Sequence, residues 1–122
     1  MIVVDLISKT PLYEQIKNSI ISLAVKGVLA PHSQLPSIRS LSYDLKLNVN
    51  TVKHAYSELE NTGIIYTLQG RGSYIAEADI VSRYMKSKAL NEISAAIEIG
   101  MANGITTEEI FELISDIYSK EL

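Results

Sequence analysis

Apolar residues recur at helical spacing near the start of the chain. The members of this first helix face are Leu12, Ile16, Ile20 and Leu23. Thr10 and Pro11 precede them as an N-cap and a first helical residue, and Gly27 is a natural end for the helix. The following stretch, residues 28–36, contains two prolines, which is too many for a helix interior. It therefore predicts a connector.

Two short helices are predicted next, separated by about three residues, 46–48. Ser37 can cap the first of them. Its buried stripe is Ile38, Leu41 and Leu45. Asn48 can cap the second, and Gly63 can end it. The inner face of this second helix is Val52, Ala55, Tyr56 and Leu59. A pair of helices joined by so short a turn is typical of a helix-turn-helix.

A β-hairpin is predicted directly after this pair. The segments 64–68 and 73–76 are short and rich in branched and aromatic residues, as strands are. The four residues that join them are Gln69, Gly70, Arg71 and Gly72. The hairpin therefore carries an arginine at its tip.

The helical pattern returns from about residue 79, and Thr106 with Glu109 forms a capping box for a last helix. These two helices carry more apolar side chains than they can bury against each other. We expect a second copy of the chain to cover the remaining ones, which gives a homodimer. The residues assigned to dimerisation are Leu90, Ile93, Ile97, Met101, Ile110, Phe111, Ile114 and Ile117. The alternative is a monomer whose tail folds back on the first domain.

The whole pattern predicts a mainly α fold with a small β-hairpin (α+β). Residues 1–76 form a winged helix-turn-helix, and residues 77–122 form a helical dimerisation segment. A two-fold dimer would present two recognition helices to half-sites about 34–36 Å apart, which predicts a roughly palindromic operator.

The net charge of -3 at first argues against a nucleic-acid partner. The charge is divided unevenly, however: residues 1–76 hold seven basic and five acidic side chains, a balance of +2, and residues 77–122 hold four and nine, a balance of -5. Such asymmetry indicates that the first segment meets a polyanion and the second does not.

Composition narrows the class of protein further. Hydrophobic residues make up 47% and charged residues 20%, as in an ordinary globular chain. Cysteine is absent, which excludes disulfides, thiolate zinc sites and thiol nucleophiles. The apolar runs are shorter than the roughly 20 residues that span a bilayer. We therefore expect a cytoplasmic protein without membrane association.

In a helix-turn-helix the second helix enters the major groove, so the outward side chains near its start decide which bases are read. Those side chains are Asn48, Asn50, Thr51, Lys53 and His54. Arg39 in the preceding helix can grip a phosphate or a base, and Arg71 can enter a minor groove from the wing. Each feature also has a plainer interpretation. Asn48 would be only a helix cap and its neighbours a solvated helix face. Arg39 would form a surface salt bridge, and the hairpin tip around Arg71 would be a tight turn with a solubilising charge.

The residues that carry this pattern also resemble the N-terminal domain of GntR-type regulators over residues 1–76. They are Gly27, Leu29, Pro31, Leu35, Pro36, Ser37, Arg39, Leu41, Asn50, Thr51, Val52, Ala55, Tyr56, Leu59, Gly63, Gly70, Arg71 and Gly72. The two-helix tail is similar to the dimerising segment of the YtrA-like branch of that family, with Ala95, Ala96, Ile97, Gly100, Thr106, Glu108, Glu109 and Ile110. The resemblance implies a repressor and places Ser37, Arg39, Asn50, Thr51, Lys53, Gly70 and Arg71 at or beside DNA contacts.

Two residues depart from the family pattern. His32 stands where the family usually has glycine, and Val49 stands where many relatives have arginine or proline. The second change removes a cation from the first turn of the recognition helix. Base reading then falls to Asn48, Asn50, Thr51 and Lys53.

Other functions are weaker matches to the sequence. An enzyme is disfavoured, because there is no phosphate-binding glycine loop and no carboxylate pair that the pattern places in a pocket. His32 and His54 alone are too few for a metal site, so we expect no metal and no cofactor. A winged helix that binds protein instead of DNA is the remaining alternative. The operator, the regulated genes, the sign of regulation (repressor or activator) and the identity or existence of a small-molecule effector stay open.

Overall fold

The computed structural model describes residues 2–121, which form five helices and one antiparallel hairpin. The helices are α1 (Leu12–Val25), α2 (Ile38–Leu45), α3 (Val49–Asn61), α4 (Ala78–Ala102) and α5 (Thr107–Glu121), and the strands are β1 (Ile65–Leu68) and β2 (Gly72–Ile75). The predicted fold, mainly α with a small hairpin in the order of a winged helix-turn-helix, is confirmed.

Three helix starts carry the side-chain caps that the sequence predicts. The Ser40 N–H donates to Ser37 Oγ at 3.0 Å ahead of α2, and the Asn50 N–H donates to Asn48 Oδ1 at 2.8 Å ahead of α3. Ahead of α5, Thr106 forms its capping box, donating its N–H to Glu109 Oε1 at 3.0 Å. Each cap satisfies a donor that the helix itself leaves free.

The start of α1 differs from the prediction by one residue. The helix begins at Leu12, with Pro11 as its N-cap and no side-chain cap. The reason is Gln15, whose amide donates to the carbonyls of Asp5 and Thr10 at 3.0 and 2.9 Å and accepts from the Asp5 N–H at 2.7 Å. Gln15 thereby holds the segment before the helix in place of a cap.

The core of the first part of the chain lies between α1, α3 and the hairpin. Its largest fully buried side chains are Ile16, Ile20, Val52, Leu59, Ile64, Ile65 and Ile75. Both α1 and α2 pack against α3, which also contacts β1. The helix-turn-helix and the wing are therefore built on one hydrophobic core.

The predicted connector contains a segment, residues 32–35, that pairs with β2. The His32 N–H donates to the Ile75 carbonyl at 2.8 Å, the Leu35 N–H to the Ser73 carbonyl at 2.8 Å, and the Ile75 N–H to the Ser33 carbonyl at 2.9 Å. Strand β1 pairs with β2 in the register Ile65↔Ile75 to Leu68↔Gly72. Strand β2 thus has a backbone partner on each side.

His32 occupies the left-handed region at φ 65°. This backbone region favours glycine. Glycine is also the residue that usually stands at this position in the family that the sequence resembles. The His32 ring makes contacts of its own, since Nδ1 lies 2.8 Å from the Tyr66 hydroxyl and the two rings meet edge to face. A side-chain contact therefore accompanies the strained backbone.

The chain divides into two compact units, Met1–Tyr84 and Met85–Leu122. Val81 of α4 is buried in the first unit. In the second unit, no side chain from 85 to 121 is fully buried. The assignment of roles to 1–76 and 77–122 stays a prediction. None of the described helices is long and apolar enough to span a membrane.

Candidate nucleic-acid interface

The turn between α2 and α3 is three residues long, as predicted. Lys46 ends α2 in the left-handed conformation at φ 56°, and the Leu47 N–H donates to the Ser42 carbonyl at 3.0 Å. Asn48 then caps α3. This tight reversal is the short turn that a helix-turn-helix requires, because it places the second helix directly after the first.

Helix α3 has one buried side and one exposed side. The buried side consists of Val52, Ala55, Tyr56 and Leu59, as the spacing predicts. On the other side Asn50, Lys53 and His54 are exposed, and Thr51 is half-buried. Val49, in the first turn, is about half exposed at 49%. The polar residues assigned to base reading thus lie near the start of the helix and, apart from Thr51, on its exposed side.

Asn48 uses one end of its side chain for the helix cap. Its Oδ1 accepts the Asn50 N–H at 2.8 Å, whereas its Nδ2 has no hydrogen-bond partner among residues 2–121. The cap and an outward amide donor are therefore compatible in the same residue.

His54 is less free than the sequence suggests. Its ring stacks on Tyr13 of α1, with ring centroids 3.9 Å apart and an interplanar angle of 19°. The stack leaves His54 exposed but covers one face of the imidazole. No local pattern reveals this contact, because the two residues are 41 positions apart in the sequence.

Helix α2 contributes an exposed cation and an exposed aromatic ring. Arg39 lies in its first turn and Tyr43 lies one turn later, at the i+4 position of the same helix face. The Tyr43 side chain is 84% exposed. Tyr43 is not among the residues that the sequence pattern assigns to the site, although its spacing from Arg39 predicts that both lie on the same face of α2. Ser37 holds its hydroxyl in the helix cap.

The wing tip is a tight turn in which glycine is required at two positions. Gly70 and Gly72 have φ values of 76° and 110°, which residues with a side chain rarely adopt. Between them the Arg71 N–H donates to the Leu68 carbonyl at 2.9 Å. Gln69 and the Arg71 side chain are exposed.

None of the cations of this region is paired with an acidic side chain in the part of the chain that the structure describes. Across residues 2–121 the single ion pair is Arg83 with Asp79, at 3.4 Å on the exposed face of α4. Arg39, Lys53 and Arg71 therefore remain available to an external anion. The salt-bridge interpretation of Arg39 has no support within the described chain.

The two histidines each contact a tyrosine. His32 is hydrogen-bonded to Tyr66, and His54 is stacked on Tyr13. No group of three or more metal-ligating side chains occurs in the part of the chain that the structure describes.

The helices of the second unit expose the apolar side chains assigned to dimerisation. Met101 and Phe111 are 66% and 63% exposed, and Ile97 and Ile110 are half-buried. The other exposed members are Leu90, Ile93, Ile114 and Ile117. A single copy of the chain thus leaves these apolar side chains largely uncovered, and their role in dimerisation stays a prediction.

Comparison with known proteins gives consistent results. Residues 12–75 match the model of the gntR family of bacterial regulatory proteins. The chain is 51% identical over 77 residues to the HTH-type transcriptional repressor YtrA of Bacillus subtilis, a match that covers 63% of this chain and 59% of that repressor.

Two solved structures extend the comparison. A transcriptional regulator from Oenococcus oeni superimposes with a TM-score of 0.75 at 31% identity, covering 94% of this chain and 97% of its own. The DNA-binding domain of AraR, in complex with operator ORX1, gives a TM-score of 0.54 at 27% identity over 60% of this chain and 90% of its own.

Proposed function

We propose, since the chain belongs to the gntR family of bacterial regulatory proteins, that it is a cytoplasmic, DNA-binding transcriptional repressor that acts as a homodimer on a roughly palindromic operator. One observation carries the proposal. A capped recognition helix with a polar outer face is packed on the same core as a glycine-flanked wing whose arginine has no partner within residues 2–121. These are separate requirements of one DNA-binding mechanism.

In this proposal α3 reads base edges in the major groove. Asn50 can pair with adenine through both ends of its amide, and Lys53 can donate to guanine or to a phosphate. Thr51 can donate to a base or contact a thymine methyl group. Asn48 adds its free Nδ2, and His54 presents the edge of a ring that Tyr13 holds in place.

The remaining contacts fix the position of the protein on the duplex. The guanidinium of Arg39 matches phosphate or guanine. Ser37 starts the helix that carries Arg39. At the wing, Arg71 enters a minor groove, where narrow A·T tracts concentrate negative potential. Gly70 and Gly72 allow the backbone to approach the groove walls closely, and the exposed side chain of Gln69 lies beside them at the tip.

The homodimer in this proposal forms through residues 77–122. The second unit buries no side chain by itself and exposes apolar residues on both helices, so a second copy is the partner that would cover them. A two-fold axis would place the two recognition helices on half-sites about 34–36 Å apart. The balance of -5 in this segment keeps it away from the phosphates. No catalytic step is part of the proposal.

DNA binding is tested with two charge-neutralising substitutions and a control of equal charge change. Duplexes selected from a random library by the purified protein provide the operator. We expect Arg39→Ala and Arg71→Ala each to weaken operator binding by about 1–3 kcal/mol. Arg83→Ala removes the same charge from the exposed ion pair on α4 and should leave the affinity unchanged.

Equal losses in all three variants would contradict the assignment of the site. Binding that is insensitive to salt would favour the protein-interaction alternative, because phosphate contacts must weaken as salt is added.

The dimer is tested by sedimentation of the full chain and of a version that ends at Tyr84. This end retains Val81, which is buried in the first unit. At micromolar concentration we expect the full chain to sediment as a dimer and the version that ends at Tyr84 to sediment as a monomer. Phe111→Glu should dissociate the full chain, whereas Lys120→Glu, nine residues away and on the opposite side of α5, should not. A full chain that sediments as a monomer would refute the dimer and the half-site spacing together.

A further inference from the structure

The connector residue Gln34 reaches the wing tip. Its Nε2 donates to the Arg71 carbonyl at 2.8 Å, across 37 positions of sequence. The side chain is brought there by the pairing of its segment with β2, in which Gln34 lies opposite Tyr74. The same carbonyl also accepts the Tyr74 hydroxyl at 3.0 Å.

These bonds hold the backbone on both sides of the Arg71 side chain. The Arg71 N–H donates to the Leu68 carbonyl at 2.9 Å, and its carbonyl accepts from Gln34 and Tyr74. A turn of four exposed residues would otherwise depend on its local conformation alone. The guanidinium itself has no partner in residues 2–121, so order at the tip comes from the backbone.

Gly72 makes room for the Gln34 amide. A Cβ atom at residue 72 would lie 2.7 Å from Gln34 Nε2, closer than real Cβ contacts come. Gly72 therefore serves more than the turn, because it also opens the space through which the connector side chain reaches the Arg71 carbonyl.

We propose that Gln34 is a positioning residue for DNA binding, which fixes the wing tip so that Arg71 meets the minor groove in a preformed geometry. The inference rests on the proposed function. Its physical basis is preorganisation: a tip that is ordered before binding loses less conformational entropy when the duplex captures Arg71. Gln34 acts through Arg71 and does not itself read the DNA.

The test is a double-mutant cycle on operator affinity. We expect Gln34→Ala to weaken binding by about 3- to 30-fold in the wild-type background and by less than about 2-fold in the Arg71→Ala background, since contacting residues couple. Ser33→Ala is the matched control, because it removes only a bond to the Ala30 carbonyl within the same connector. It should leave the affinity unchanged.

A second variant and a second measurement address folding. Gln34→Met keeps the length of the side chain without a donor and should reproduce the loss in affinity. In the free protein, NMR hydrogen exchange of the Arg71 N–H should accelerate in both Gln34 variants and stay unchanged in Ser33→Ala.

The outcomes separate this inference from the proposed function. If Arg71→Ala weakens binding and the Gln34 variants do not, the positioning role is wrong and the function stands. If Gln34→Ala causes the same loss with and without Arg71, Gln34 acts independently of Arg71 and the positioning role is again wrong. If Arg71→Ala has no effect on affinity, the assignment of the wing within the proposed function fails.

Discussion

At the scale of single residues, Lys46 holds a backbone conformation that glycine would adopt at lower cost. It ends α2 at φ 56°, where a residue with a Cβ loses about 1–2 kcal/mol. Glycine is freer in the unfolded chain, which offsets about 0.4–1 kcal/mol of the gain. We expect Lys46→Gly to raise the free energy of unfolding, measured by urea denaturation, by about 0.5–1 kcal/mol.

Lys46→Ala is the control for the lost charge, since it removes the cation and retains the strained backbone. It should give no such increase. A decrease in Lys46→Gly would show that the Lys46 side chain contributes more to stability than the conformation costs.

Tyr56 connects buried packing to the behaviour of the protein in alkali. Its hydroxyl donates to the Pro36 carbonyl at 2.7 Å, and burial raises the pKa of Tyr56 well above its usual value of about 10. Below about pH 10, the usual pKa of tyrosine, the Tyr56 hydroxyl is protonated in both the folded and the unfolded chain, and its contribution to stability is fully present. Above about pH 10, Tyr56 loses its proton in the unfolded chain before it does so in the folded chain, so the free energy of unfolding falls as pH rises.

We expect Tyr56→Phe to lower the free energy of unfolding at neutral pH by about 0.5–1.5 kcal/mol, because the hydrogen bond is lost. Between about pH 10 and pH 12 the variant should lose less stability than the wild type. Urea denaturation across that range measures both effects. Parallel pH profiles would contradict the role assigned to Tyr56.

At the scale of elements, Asn48 combines the cap of α3 with a place on its DNA-reading face. Asp caps as well as Asn does, and it suits the positive end of the helix dipole. Asn48→Asp should therefore retain stability while weakening operator binding at least about tenfold, through repulsion between its carboxylate and the DNA. Asn48→Ala should lose about 1 kcal/mol of stability with the cap.

Thermal unfolding and operator titration on the same samples separate the two roles. If Asn48→Asp binds DNA like the wild type, Asn48 is a helix cap only.

Elements were predictable from sequence where the information is local. Ser37, Asn48 and the Thr106–Glu109 box mark helix starts because a cap needs one short polar side chain, or two polar residues three positions apart. The start of α1 was one residue off because Gln15 reaches back to Asp5 and Thr10.

Long-range contacts had no comparable signal. The residue types and order of the candidate site were visible in the sequence, but two features of its support were not. Gln34 meets Arg71, and Tyr13 meets His54, only after distant segments pack together. A periodic pattern reports which side of an element is buried and not which residue covers it.

At the scale of the whole molecule, the salt dependence of DNA binding reports the number of copies on the operator. Each phosphate contact adds about 0.9 to the slope of log affinity against log salt. In a dimer every cation occurs twice, so removing one phosphate-contacting residue should reduce the slope by about 2. We expect this for whichever of Arg39 and Lys53 contacts phosphate.

Titrations of the wild type and of Arg39→Ala and Lys53→Ala between low and moderate salt measure the change. Arg83→Ala again serves as the control and should leave the slope unaltered. A reduction of about 1 would mean that a single copy occupies the site, whatever the protein does in free solution.

The pairing of residues 32–35 with β2 also has a consequence for how the domain is made. While the ribosome is still adding residues 73–75, the N–H groups of His32 and Leu35 lack the carbonyls to which they donate in the finished fold. Contacts so distant along the chain form late and slowly. The ribosome makes α2 and α3 before it makes the wing. The connector that leads into α2, however, gains its backbone hydrogen bonds only when β2 is present. We therefore expect the recognition helix to reach its final setting near the end of translation of the domain, as one cooperative event.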